Sequence, residues 1–431
     1  MPDTPAADAR QAGYQASLGT VLREWGRIGC VGFGGPPSHI ALLRKLCVER
    51  EGWLDAQEFE DAIAACNLLP GPASTQLAIF CAWRVRGRLG ALAGGAAFIV
   101  PGLILILALS VLFLAGTPPL WVRGAGAGAG AAVAAVAVQA AWSLLVPSWK
   151  RAIGQAGRSR RVRWGLYLVA GGASAATIGP WLVLVLLGCG ATELAIRHRR
   201  AAGPGGVGAG GVGPGGVGPG GPARPAGAPR AIVAFPLAAV RALGPLRTAA
   251  AAGAGTLLPL AWTALKVGAL SFGGGFVIIP LMQGDAVRHH WMTNAQFLNG
   301  VALGQITPGP VVQTVATVGY AAAGIGGGLL AAVVAFSPSF VFVLGGARHF
   351  AALRGNAGAQ AFLDGAGPAA IGAILGSAVT LARALSQPWQ FAVLAGAAVA
   401  LLALRRGVVP TLLAAGAAGV IIALAGGPLP H

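Results

Sequence analysis

Residues 32–37 read Gly-Phe-Gly-Gly-Pro-Pro, residues 53–59 Trp-Leu-Asp-Ala-Gln-Glu-Phe, and residues 69–72 Leu-Pro-Gly-Pro. The chain then repeats itself: residues 271–275 read Ser-Phe-Gly-Gly-Gly, 291–297 Trp-Met-Thr-Asn-Ala-Gln-Phe, and 307–310 Thr-Pro-Gly-Pro. Gly273 follows Gly34 by 239 positions and Pro308 follows Pro70 by 238, so one residue is lost between the two blocks. Both copies set helix breakers inside apolar segments. In lipid that is tolerated only where the freed backbone groups face protein, a cavity or a substrate. Duplicated halves with broken helices point to a secondary transporter.

Composition agrees with a membrane protein. The 431 residues are 55% hydrophobic and 10% charged, with mean hydropathy +0.72, against about 25% charged in soluble chains. Stretches 89–116, 124–146 and 301–324 reach the roughly 20 residues that cross a bilayer. The first 17 residues carry Asp3 and Asp8 and lack the basic start and apolar core of a cleavable signal peptide. Five cysteines (Cys30, Cys47, Cys66, Cys81, Cys189) form no CxxC pair. They read as small apolar helix residues, with no cofactor, metal or redox centre expected.

The net charge of +18 does not indicate nucleic acid, because no soluble basic domain carries it. Arg84, Arg86 and Arg88, then Lys150, Arg151, Arg158, Arg160, Arg161 and Arg163, read as short loops on the cytoplasmic side. That places the N-terminus inside. Most of the twelve acids lie at the N-terminus or in a polar stretch, 47–61, read as the loop before Pro70. Only Glu193 and Asp364 fall near membrane depth. Cation and proton-coupled carriers usually place carboxylates in the span, so an anionic cargo fits better.

The fold expected is an all-α polytopic membrane protein, with two homologous halves of about five to six hydrophobic segments each. Its broken or re-entrant helices form repeats expected to be inverted, although the arginine count leaves the second half's orientation open. The boundaries are 18–200 and 250–429, joined by a Gly/Pro-rich flexible linker at 201–230. A tether of that composition reaches roughly 30 Å. In the first half, 164–196 should divide at Gly179-Pro180 into two short helices. In the second, segments are expected near 259–283, 296–320, 323–346, 361–384, 389–404 and 408–426. Pro101 and Pro338 occupy matching places in the third segments.

The Pro-Gly-Pro breaks are the leading candidate site. Pro72 and Pro310 remove backbone donors and interrupt the helix. The half-helix after each break begins with unpartnered N–H groups at its positive end, an anion site that needs no formal charge. Ser74, Thr75 and Gln76 follow the first break, and Gln313 and Thr314 the second. Asn67 and Gln305 precede Pro70 and Pro308 by three residues. The alternative is a simple proline kink. For Gly34, Gly35, Gly273 and Gly274 the choice lies between tight helix packing and a re-entrant turn facing the cavity. Arg27 and Lys266 each sit seven residues before a glycine pair, and either attract an oxyanion or snorkel to the headgroups. His39 and Arg44 are weaker candidates, and His289 and His290 read as interfacial. No Walker loop, nucleophile elbow or paired catalytic base is present, so an enzyme is not indicated.

These paired blocks resemble the chromate ion transporter family in its long two-domain form, over residues 20–350. The resemblance implies efflux of chromate from the cytoplasm, with sulfate as a related ion, and halves lying antiparallel. It carries over to Gly34, Gly35, Pro36, Asn67, Pro70, Gly71, Pro72 and Gln76 in the first copy. In the second it covers Gly273, Gly274, Gln305, Pro308, Gly309, Pro310 and Gln313. Thr75-Gln76 faces Gln313-Thr314 in reversed order, which weakens a one-to-one role for the glutamines. A bacterial cytoplasmic (inner) membrane location follows, with lipid and the anion as partners and a homodimer as the one assembly considered. A dianion leaving a negative interior gains about 2.3 kcal/mol per charge per 100 mV, or roughly 7 kcal/mol at about 150 mV. The competing readings are uptake of sulfate or another anion, and a membrane scaffold without flux.

Overall fold

The computed structural model describes residues 15–114, 116, 118–154, 158–177, 182–201, 254–271, 278–346 and 356–430. The tether at 201–230 lies almost wholly outside the described residues, as do Gly273 and Gly274. The described residues form fourteen α-helices and no strand.

The first half contributes α1 (Leu18–Val31), α2 (Pro36–Arg44, continued by a π turn over Lys45–Arg50), α3 (Ala56–Leu68) and α4 (Ala73–Phe113). It ends with α5 (Leu120–Gly154), α6 (Arg158–Thr177) and α7 (Leu182–Ala201). The second half repeats the order with α8 (Ala254–Ala269), α9 (Ile278–Arg288), α10 (Asn294–Ile306) and α11 (Thr314–Gly346). Then come α12 (Ala357–Arg383), α13 (Pro388–Ala398, continued by a π turn to Ala403) and α14 (Val408–Leu424). Four of these, over 73–113, 120–153, 311–346 and 357–383, are long and apolar enough to cross a membrane. The chain is a membrane-embedded, multi-pass protein.

Local chemistry explains the repeated boundaries. Asp55 caps α3 by accepting from the Glu58 amide at 2.7 Å. Thr293, 238 residues on, caps α10 by accepting from Gln296, whose side chain returns the bond to the Thr293 amide. α4 and α11 each bend at a positive-φ glycine. Gly87 has φ 64° and ψ −153°, Gly324 φ 63° and ψ −157°. Such angles are nearly confined to glycine.

The two halves interlock. α5 packs on α13 and α14, while α12 packs on α6 and α7. Each half's fifth helix is therefore embraced by the other half's last two. Glycine permits the approach: a Cβ on Gly128 would lie 2.1 Å from the Ala415 carbonyl oxygen, and one on Gly372 1.9 Å from that of Leu168. The repeat-equivalent stretches after the bends of α4 and α11 run in opposite senses: a Cβ on Gly95 would meet the Phe340 ring, and one on Gly328 the Leu107 side chain. The repeats are inverted.

Three expectations need correcting. The polar stretch 47–61 is largely helical, because Asp55 starts α3 at Ala56. Arg84, Arg86 and Arg88 lie on a connection shorter than the loop expected: only Arg86 and Gly87 leave helical geometry, where α4 bends. Glu193 and Asp364 are not the only carboxylates drawn inward. Glu24 and Asp285 are also buried, at 6% and 1% exposure. Each is held by cations: Glu24 by Arg27 at 3.1 Å and Arg50 at 2.8 Å, Asp285 by Lys266 and by Arg288 at 3.0 Å. Burial without such pairing would be prohibitive.

Candidate functional site

Each break turns on one glycine. Leu69 and Pro72, like Thr307 and Pro310, are extended, with Gly71 (φ 120°) and Gly309 (φ 97°) between them. The chain then re-enters a helix at a proline N-cap with no side-chain cap at either site. After the first break the amides of Thr75 and Gln76 both return to the Pro72 carbonyl, at 2.9 and 3.0 Å. That leaves Ala73 and Ser74 as donors the helix itself cannot satisfy.

The breaks face the opposite half. A Cβ on Gly71 would lie 3.3 Å from the Gly268 carbonyl oxygen and 3.4 Å from Ser339 Oγ, both in the second half. A Cβ on Gly102 in α4 would lie 2.1 Å from the Pro308 carbonyl oxygen. Gly102 follows Pro101 and Ser339 follows Pro338, so each half's proline-bearing helix shelters the other half's break. Gly35 (φ 74°) brings the first glycine block within reach of Val311, and the Gly309 amide donates to the Gly32 carbonyl at 3.0 Å. Pro36 then starts α2.

Side chains around the breaks are only partly satisfied. Gln76 Nε2 donates to the Pro70 carbonyl at 2.7 Å, and Gln313 Nε2 to the Ile99 carbonyl across the halves at 2.8 Å. Thr314 Oγ1 is committed to the Val311 carbonyl at 2.8 Å. Around the breaks and the second glycine block, six buried side-chain atoms have no hydrogen-bond partner among the described residues: Thr75 Oγ1, Gln76 Oε1, Ser271 Oγ, Gln305 Nε2, Gln313 Oε1 and Ser339 Oγ. Four of these six groups can donate. Orphaned buried polar atoms are few in native proteins, and each costs about 1–3 kcal/mol. These six concentrate on the two breaks and the helices beside them.

Not every candidate gathers here. Asn67 is exposed at the end of α3, whereas its counterpart Gln305 is buried. Gly34 is exposed (φ 92°) and Gly35 buried. Lys266 is engaged by Asp285, which also accepts from Thr263 Oγ1 at 2.9 Å. One polar neighbour of the first break escaped the reading of the sequence. Ser339 hides in an ordinary apolar helix, and only its place after Pro338, opposite Gly102, could have signalled it. His39 is fully buried, with Nε2 2.9 Å from the Gly32 carbonyl oxygen and Nδ1 3.2 Å from Ser74 Oγ. A cavity of about 540 Å³ between α5, α12 and α13 is lined almost wholly by apolar residues and shares none with the breaks.

Known proteins supply the context for this arrangement. The chromate transport protein of Cupriavidus metallidurans is 30% identical over the whole of this chain and 98% of its own length. A chromate transport protein of Pseudomonas aeruginosa is 30% identical over 84% of this chain and 80% of its own. A probable chromate transport protein of Synechococcus elongatus is 27% identical, covering 85% of each. No solved structure matches at a significant level. The chromate transporter profile matches twice, over residues 19–194 and 258–422, one stretch in each half. With two profile matches on two inverted, interlocked halves, the chain belongs to the chromate transporter family.

Proposed function

We propose that this protein exports chromate across the bacterial cytoplasmic membrane as a secondary transporter, binding the anion where the two Pro-Gly-Pro breaks are sheltered by the opposite halves. The observation that carries this reading is the set of six unpartnered buried polar atoms around two uncapped helix N-termini. Hydroxyls of Thr75, Ser271 and Ser339, the Gln305 amide and the free amides after Pro72 offer hydrogen to an oxyanion without a fixed positive charge. That suits a carrier, which must release its cargo as well as hold it. Pro70, Pro308 and the glycines at 34, 35, 71, 273, 274 and 309 shape the backbone around the guest. The described structure is closed over the breaks, so loading requires the halves to separate. Alternating access by rocking one half against the other follows from inverted repeats.

The membrane potential is the driving force in this reading, since exit of a dianion is downhill by roughly 7 kcal/mol at about 150 mV. Chromate flux in proteoliposomes of known sidedness tests it. An outward-directed negative charge should accelerate with an inside-negative potential, and Pro72→Ala and Pro310→Ala should each cut the rate at least about tenfold. Potential-driven accumulation of sulfate with no chromate flux would replace the reading by one of anion uptake.

A further inference from the structure

His39 lies between the breaks, and nothing so far assigns it a task. Gly32's carbonyl oxygen accepts from both His39 Nε2 (2.9 Å) and the Gly309 amide (3.0 Å), so Nε2 carries a proton. The other ring nitrogen faces Ser74 Oγ at 3.2 Å, at the start of α4 just past the first break. On a neutral imidazole Nδ1 is an acceptor, and the Ser74 hydroxyl commits its one proton to it. A protonated ring reverses the bond: Nδ1 donates, Ser74 accepts, and the hydroxyl proton turns toward the open helix N-terminus. One proton thus frees a donor for an oxyanion and places a positive charge beside it.

The internal repeat acts as a control on this pair. Ile278 follows His39 by 239 positions and Val312 follows Ser74 by 238, and both are buried. The polar pair is exchanged as a pair for an apolar one in the same fold, so packing does not require it. The other printed neighbour of the imidazole is the Phe98 ring, edge-on at 5.0 Å. Charged groups on the adjoining helices are engaged elsewhere. Glu24 and Arg27 of α1 pair with each other, Arg44 of α2 pairs with Glu60, and Arg84 of α4 with Glu58. Arg23, Cys30, Lys45, Cys47, Glu49, Arg50, Cys81, Arg86 and Arg88, with Tyr320 of α11, complete the titratable groups on those elements, and none is hydrogen-bonded to the ring.

We infer that His39 is the proton site linked to the anion: its ring holds a proton while the oxyanion is seated at the first break and gives it up when the site is empty. This rests on the breaks being the binding site. Linkage makes the effect reciprocal, so proton uptake strengthens anion binding by the same factor as anion binding strengthens proton uptake.

Calorimetric titration of the purified full-length protein with sodium chromate tests it. The titration is run at alkaline pH, where free chromate carries no proton, in buffers of different ionisation heat. The wild type should withdraw about one proton from the buffer per chromate bound. His39→Ile should bind about tenfold more weakly or worse with no proton withdrawn. The double variant His39→Ile/Ser74→Val, which copies the second half's pair, should unfold at a similar temperature and likewise take up none. Wild-type binding without proton uptake, or uptake retained in His39→Ile, overturns the inference and leaves the site standing. Undiminished binding in Pro72→Ala and Pro310→Ala takes away the site and the inference with it.

Discussion

At the scale of single residues, Gly102 and Asp285 show what the closed packing demands. A Cβ at Gly102 would meet the Pro308 carbonyl oxygen at 2.1 Å and Gln313 Oε1 at 2.4 Å, and a carbonyl in a proline turn cannot step aside. Gly102→Ala should cost about 1–3 kcal/mol in thermal unfolding and abolish chromate flux. Gly396→Ala, with open space around a helical position, should be neutral or stabilise by about 0.5–1 kcal/mol. Asp285, 1% exposed, holds Lys266, Arg288 and Thr263 together. Removing it by Asp285→Ala leaves a largely buried ammonium unpaired and should cost about 3–5 kcal/mol. The paired change Lys266→Met/Asp285→Leu should recover most of that stability. Its transport rate then decides whether Lys266 serves the cargo or only the fold.

Among elements, the bends of α4 and α11 are matched almost degree for degree, although Arg86-Gly87 and Ala323-Gly324 share only the glycine. No neighbouring atom lies within 4 Å of a Cβ on Gly324, so a substitution there acts through backbone conformation alone. Gly324→Ala should therefore destabilise by about 1–3 kcal/mol, and Gly87→Ala by a similar amount, measured by unfolding in detergent. A much smaller cost would mean that the bend is not maintained in solution. The bends let one helix carry the break at its start and then redirect its apolar length. In α4 that length delivers Pro101 and Gly102 to the other half's break, and in α11 it delivers Pro338 and Ser339.

Across the whole molecule, the halves are bound by reciprocal embrace rather than by the tether. α12 lies on α6 and α7, where Arg160 reaches Asp364 at 2.7 Å and Arg197 also pairs with it; α5 lies on α13 and α14. Neither half alone covers its own break. Chains cut within 203–229 and co-expressed should reassemble and transport chromate, while either half expressed singly should give no flux. Transport by one half alone would show that the opposite half's sheltering residues are dispensable.

Much of this could be read directly from the chain. Proline and glycine in apolar stretches interrupt a helix wherever they cluster, so the breaks at 69–72 and 307–310 and the duplication were visible in residue order; the division expected at Gly179-Pro180 lies outside the described residues, and the helices on either side, 158–177 and 182–201, are full-length rather than short. Hydropathy located most segments to within a few residues. It missed the first turns of α3 because acidic residues there lack the apolar run that signals a span, and it overestimated the connection in α4 because arginines flank it. What residue order could not supply was contact between positions more than 200 apart. Ser339 beside Gly71, Gln313 on the Ile99 carbonyl and the Gly309 amide on the Gly32 carbonyl arise only once inverted halves fold into each other. Local backbone chemistry is encoded where it occurs, whereas the surroundings of a buried serine or glutamine are assembled by distant helices, and only the tertiary structure brings those together.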